Sequence, residues 1–339
     1  MQTSKTASAN HKGHICCMLP KLKSIALGQA LSMIDTGFGV FSTLMLLLGL
    51  DIPLFMLFVF YSALALVYSP LLVCKNLRLS WPDVWKVFAA SITDSQGNFL
   101  VVMSYKYTSL TSVFILMNSS VPYVMLLSYI FIKKVYRPSE LAGVFLALLG
   151  ILCVIISDLR QQGWAWSGDF SGDMMVLVGT LIYCSTNVWQ EHQMKSGLSP
   201  IKWLSLMGIF GSLIVLTESL CLEMDQIRQI ASISQIACIF GFASCLLLLY
   251  SLIPSYLENY GATVYNLSLL TTSLYGLVFQ FTIFDHVILD WLYYAGLVLV
   301  IVGIVVYNIA LKSAKSPSCY DLDSYDALQS SDTTYHSTS

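Results

Sequence analysis

The stretch AGVFLALLG, residues 142–150, returns as AGLVLVIVG at 295–303, an offset of 153 that keeps both glycines of a Gly-x6-Gly pair. Upstream, TSVFILMNSSVPY (111–123) aligns with TVYNLSLLTTSLY (263–275) at an offset of 152, matching Thr111 to Thr263 and Tyr123 to Tyr275. Two adjacent matches at nearly one offset mark an internal repeat. What each copy contains decides the fold.

The composition sets the solvent. The chain has 339 residues, 56% hydrophobic and 11% charged, with a mean hydropathy of +0.72. A soluble domain carries about 25% charged residues, so this chain reads as a membrane protein and its net charge of −2 says little about partners. The nine cysteines show neither metal spacing nor a disulfide framework. The polar N-terminus is too long for a cleaved signal peptide, and the first apolar run is expected to be an anchor.

A spanning helix needs about 20 mostly apolar residues. Such runs fall at 24–48, 52–74, 83–105, 109–132, 139–157, 172–190, 201–222, 233–257, 261–284 and 288–311. With the N-terminus cytosolic, fourteen of the seventeen basic residues fall on the cytosolic side; Lys106, Arg160 and Arg228 do not. Ten spans make two halves of five, and five is odd, so the second half must be inverted. The expected fold is an all-α membrane protein of ten transmembrane helices in two inverted five-helix repeats, residues 23–158 and 172–312. A cytosolic tail (1–22), a non-cytosolic connecting loop (159–171) and a disordered cytosolic tail (313–339) complete it. Inverted repeats are a recurring plan of secondary transporters, with the binding site near the midplane.

Four segments carry a resemblance: IALGQALS (25–32), TDSQGNFLVVMSYKYTSLTSV (93–113), YCSTNVWQE (183–191) and GATVYNLSLLTTSLYGL (261–277). Over roughly 20–312 the chain resembles the drug/metabolite transporter superfamily, and within it the F-type branch of solute carrier family 35. The resemblance implies ten helices in two inverted halves and carriage of small polar solutes. It implies a cavity among spans one to four and six to nine. Spans five and ten would form a packing or homodimer surface. It also implies an Asp in the fourth span, where Met117 or Asn118 stands here, and another in the ninth near Ser273.

Two carboxylates lie deep in spans. A charge at mid-bilayer costs about 2.5–3.5 kcal/mol on insertion scales, so each must face protein or water. Ser91, Asp94, Ser95 and Asn98 recur at i, i+3, i+4 and i+7 and form one polar stripe. Asp94 is either a buried group held by neighbouring hydroxyls or a substrate or proton site. Asp35 lies in a stripe of small polar residues that serves helix packing or function equally well. Its DTG context (35–37) matches a protease motif by accident, inside a single helix. Tyr183, Asn187 and Gln190 share a face of the sixth span, and the ninth carries Thr263, Asn266 and Thr271. In the fourth span, Pro122 can free a backbone carbonyl or allow a bend. Tyr123, Tyr250 and Tyr275 are candidates for stacking on a planar ligand, while Trp81, Trp85, Trp164, Trp166, Trp203 and Trp291 are expected at membrane interfaces.

No Lys or Arg lies deep in a span. A nucleotide sugar carries a diphosphate that favours guanidinium or ammonium partners. The expected cargo is therefore a neutral or cationic heterocycle: a nucleobase, nucleoside, vitamin or amine. The binding or coupling residues would be Asp94, Asn98, Asp35, Asn187, Asn266, Tyr123 and Tyr275, with proton coupling through a carboxylate. A nucleotide-sugar carrier and a non-transporting scaffold are the alternatives. Enzymatic function is not expected: all five histidines lie outside the spans or at their ends, and no Walker A sequence occurs. No metal, cofactor or nucleic-acid partner is implied. The protein would sit in a plasma, endosomal or Golgi membrane with both termini cytosolic. In the tails, Cys16 and Cys17 are palmitoylation candidates, and YDAL (325–328) resembles a tyrosine-based sorting signal.

Overall fold

The computed structural model describes residues 26–133, 136–161, 168–260, 262–269, 271–283 and 291–315. Cys16, Cys17, Trp164, Trp166 and the YDAL segment lie outside the described residues. The described chain is helical throughout: α1 (Ala26–Leu47), α2 (Pro53–Cys74), α3 (Trp81–Ser104), α4 (Leu110–Met117), α5 (Ser120–Ile132), α6 (Pro138–Gln161), α7 (Gly168–Lys195), α8 (Pro200–Leu222), α9 (Met224–Ile227), α10 (Ile233–Tyr260), α11 (Ala262–Leu269), α12 (Thr272–Ile283) and α13 (Trp291–Lys315). In hydrocarbon the backbone must satisfy itself, and helices do so within one segment.

Among the described residues, five stretches are long and apolar enough to cross a bilayer: Ala26–Leu47, Pro53–Cys74, Ser112–Phe131, Pro200–Leu222 and Ile233–Asn259. At 24 and 28 residues, α3 and α7 are as long, but their polar stripes dilute the apolar character. Several starts are set by proline, whose missing N–H is harmless in a first turn: Pro53, Pro82, Pro138 and Pro200. Ser80 and Ser109 cap α3 and α4 through their hydroxyls. The loop expected at 159–171 is partly helix, because α6 runs to Gln161 and α7 starts at Gly168.

The expected fourth and ninth spans are both interrupted. Between α4 and α5 the bonds tighten to i→i−3: Asn118 N to Ile115 O (3.1 Å), Ser119 N to Leu116 O (2.9 Å) and Val121 N to Asn118 O (3.2 Å). Pro122 explains this, since it has no N–H to give the Asn118 carbonyl and its ring crowds that carbonyl. The second interruption follows Leu269, where Leu274 N bonds Thr271 O at 3.0 Å. No proline stands there, and α11 and α12 begin 152 residues after α4 and α5.

Small residues set the tightest crossings. A Cβ on Gly150 of α6 would come within 2.6 Å of Gly296 O and 2.7 Å of Val300 N on α13. A Cβ on Gly303 would come within 2.6 Å of Gly143 O and of Ala147 N. The two contact sets are mirror copies at an offset of 153. Similarly, α3 and α7 cross where Gly97 meets Gly179, each Cβ position lying 3.2 Å or less from the other's carbonyl. Trp203, expected at an interface, is instead fully buried in the core. It sits one turn into α8, a helix that packs closely on α2. Trp81, Trp85 and Trp291 are exposed.

Candidate functional site

Where the two interrupted helices meet, the packing leaves a small central cavity, with room for a water molecule or so rather than a solute. Asp35 of α1 is the charged residue in its lining, with Thr272 within hydrogen-bonding reach. Around it stand the amides of Asn118 and Asn266, the hydroxyls of Thr180 and Tyr183, and the ring of Phe114. Among the described residues, no Lys, Arg or His lines it.

The wall is tied together by polar contacts between halves. Asn118 Nδ2 donates to Ser273 Oγ (2.9 Å), which donates to Phe114 O (3.0 Å). Asn118, one of the two fourth-span positions at which the resemblance implied a carboxylate, is thus joined by a neutral hydrogen bond to Ser273, near which it implied the other. Ser32 on α1 donates to Ser268 O and accepts from Thr271 Oγ1 at 2.9 Å. Tyr183 and Tyr265 share a hydrogen bond of 2.8 Å.

Among the described residues of α7, one buried donor in the lining lacks a partner, Thr180 Oγ1; Asn187, two turns further on, reaches back to Tyr183. A buried polar group left unpaired costs about 1–3 kcal/mol, so such a group marks a place where a water or a solute would be bound. Asn187 stood among the expected site residues. Thr180 did not, although its i, i+3, i+7 spacing with Tyr183 and Asn187 was legible.

Asp94 and Asn98 do not line this cavity. Asp94 is buried between α2, α3 and α10 in a knot of its own. Tyr61 donates to its Oδ2 at 2.6 Å, Tyr250 to the same oxygen at 2.8 Å, and Asn98 Nδ2 at 3.2 Å. Asn98 also donates to the Tyr250 hydroxyl at 2.7 Å. The polar stripe on α3 thus faces protein, as its helical spacing requires, and Tyr250 serves the knot through its hydroxyl. Tyr123 is half-buried on α5, and Tyr275 donates to Gln29 Oε1 at 2.9 Å.

The end of the bundle where α1 runs into α2 is strapped shut. Lys106 bridges to Asp51 at 2.5 Å. Glu223, just past α8, accepts from Leu54 N (2.9 Å) and Phe55 N (2.8 Å), orphan donors in the first turn of α2. Gln226 on α9 accepts from Asp51 N at 3.0 Å, and Thr108 donates to Asp173 on α7 at 3.1 Å. Burial pushes the Glu223 carboxyl up from 4.5 to about 7, against the lowering effect of the two backbone donors.

With this geometry in place, comparison with known proteins is decisive. A family profile described as "Solute carrier family 35" (SLC35F) matches residues 19–309. The chain belongs to the F branch of solute carrier family 35. It is 32% identical over 298 residues to mouse (Mus musculus) "Solute carrier family 35 member F2", covering 84% of this chain and 78% of the relative. It is 30% identical over 302 residues to the Xenopus tropicalis protein of the same name, covering 84% and 76%. A solved crystal structure superposes with a TM-score of 0.58 at 13% identity, over 84% of this chain and 98% of that one, a likeness of fold alone. Members of the family are transporters, so this carrier is a multi-pass membrane solute transporter rather than an enzyme.

Proposed function

We propose that this carrier moves a small neutral or cationic heterocycle, of the nucleobase, nucleoside, vitamin or amine kind, by alternating access. Ten spans in two inverted halves, 23–158 and 172–312, would rock about the central cavity. The equal offsets of the two helix interruptions and the mirrored glycine contacts of α6 and α13 support that symmetry. The basic-residue asymmetry supports cytosolic termini, in a plasma, endosomal or Golgi membrane. On that orientation the strapped end is the non-cytosolic one, and the contracted cavity belongs to a closed state. The outer faces of α6 and α13 keep exposed Phe145, Leu152, Val298 and Val302, which supports a homodimer there.

One observation carries the choice of cargo: among the described residues the cavity is lined by a single carboxylate, Asp35, by amides and hydroxyls, and by no cation. A diphosphate would leave its charge uncompensated in such a place. Asp35 would hold a ring N–H or an ammonium, Thr180 and Asn187 would donate to acceptors on the solute, and Asp94 would carry a coupling proton.

The test is the thermal stability of the purified protein against nucleotide sugars, nucleobases, nucleosides, vitamins and organic cations, since a ligand of the native state raises Tm by mass action. A shift from one heterocycle class, lost in Asp35→Asn, is the expected result. A strong shift from nucleotide sugars would overturn the choice of cargo.

A further inference from the structure

A wider space, about 500 Å³, lies on the outside of the bundle between α3, α5 and α7. Both α3 and α5 pack on α7, while contact between them is slight, so α7 forms the floor of a groove with two separate walls. The α3 wall is made of Ala89 and Ala90, side chains too small to close it. Opposite stand Leu127 and Phe131 of α5. Phe131 is 71% exposed and Trp189, on the floor, 41%. In a membrane-spanning bundle such exposure is to lipid.

The hydroxyls among the described lining residues are engaged: Thr93 and Thr186 are hydrogen-bonded to each other at 2.9 Å, Thr93 also donates to Ala90 O at 2.9 Å, and Ser185 donates to Leu181 O at 3.0 Å. The threonine methyls complete an apolar trough that extends about 10 Å along α7 from Ser185 to His192.

One end is different. His192 lines it. Lys86 precedes Ala89 and Ala90 by three and four residues, which puts it on the same face of α3 one turn further out. Lys133 caps the C-terminus of α5, two residues after Phe131. Lys86 and Lys133 are exposed, and neither has an ion-pair partner among the described residues. The nearby carboxylates are engaged elsewhere: Glu191 with Lys195, Asp83 facing Lys202.

An apolar trough ending in unpaired cations is complementary to one amphiphile. We propose that the groove is a binding site for an anionic phospholipid, one acyl chain along α7 and the phosphate among Lys86, Lys133 and His192. Juxtamembrane basic residues each attract anionic lipid by about fivefold in local occupancy. The same α7 supplies Thr180 and Tyr183 to the central cavity, so the lipid braces the helix that carries the solute site. That the lipid comes from the cytosolic leaflet rests on the orientation proposed above; the binding site itself does not.

Quenching of Trp189 by brominated acyl chains tests the proposal. The full-length protein is placed in symmetric phosphatidylcholine vesicles containing brominated phosphatidylserine or, at equal mole fraction, brominated phosphatidylcholine. The Trp189 component is obtained by difference from Trp189→Phe. The expected result is severalfold stronger quenching by the serine lipid, falling to parity when Lys86, Lys133 and His192 are replaced by Gln. Equal quenching by both lipids in the unsubstituted protein would reduce the groove to ordinary lipid contact. No quenching by either would give it to another occupant, a second copy or the solute. Both results overturn the proposal, and neither depends on transport.

Discussion

Gly150 and Gly303 make the same contact from opposite sides. Each glycine's missing side chain accommodates a carbonyl of the facing helix, Gly296 O in one case and Gly143 O in the other, at 2.6 Å from the Cβ position. Without a hydrophobic drive between helices in lipid, such close approach is what pairs them.

Gly150→Ala therefore pushes α6 off α13. Overpacking of this kind costs about 1–3 kcal/mol, and backbone atoms cannot rotate out of the way. The expected outcome is a lower Tm for Gly150→Ala and for Gly303→Ala alike. Equal losses at 150 and 303 would mark the two sites as equivalent. Calorimetry or fluorescence-detected melting reads it.

Asp35 and Asp94 should separate cleanly. Asp94→Asn keeps the size of the group but weakens a knot in which Tyr61, Tyr250 and Asn98 all donate to one carboxyl; interhelical hydrogen bonds in membranes contribute about 0.6–1.7 kcal/mol each. The variant should melt earlier yet keep whatever ligand-induced shift the unsubstituted protein shows, because Asp94 does not line the cavity. Asp35→Asn should do the reverse. Melting with and without ligand in both variants is the check. Loss of the shift in Asp94→Asn at unchanged Tm would place the solute at the knot instead.

The strap at Glu223 predicts a pH dependence. Its carboxyl is raised to about 7 from 4.5 by burial, so the strapped form binds a proton more tightly than a released form with a solvated carboxyl. The contribution to the strapped form is full below about 4.5 and is lost as pH rises through about 7. The charged groups facing it are Asp51 and, through Asp51, Lys106. Tm measured from pH 5 to 8 should fall with pH relative to Glu223→Gln, which keeps one acceptor and has no charge to bury. Parallel profiles would remove Glu223 from the device.

Pro122 marks a joint whose stiffness is adjustable. Pro122→Ala restores a donor for the Asn118 carbonyl and a residue that favours helix by about 3 kcal/mol over proline in a helix interior. Stability should rise, and ligand response should fall, if the α4–α5 interruption is a moving part. Higher Tm with an unchanged ligand shift would make the joint static.

Much of this was legible in the sequence. The starts of α2, α6 and α8 fall within a residue of the apolar runs because prolines and charges punctuate them. The interruption at Asn118 was foreshadowed by Pro122. The one after Leu269 was not, since a run of hydroxyl residues breaks a helix only when tertiary partners such as Ser32 and Tyr256 compete for its backbone and side chains. The stripe through Asp94 correctly announced a protein-facing helix side. Its partners Tyr61 and Tyr250 lie 33 and 156 residues away, and no local pattern reports contacts at that range. Trp203 was misplaced for the same reason: an aromatic near a helix start looks alike whether it faces headgroups or α2.

Cys184 follows Tyr183 on α7 and is buried, its thiol directed at Ser120 O at 3.7 Å, where α5 begins beside the cavity. Any opening of the cavity that separates α5 from α7 uncovers that sulfur. On the alternating-access reading proposed above, the chain carries a native chemical clock for that cycle. With the other cysteines replaced, the rate at which a membrane-permeant maleimide consumes Cys184 reads the fraction of time the carrier spends open, without any knowledge of what it carries.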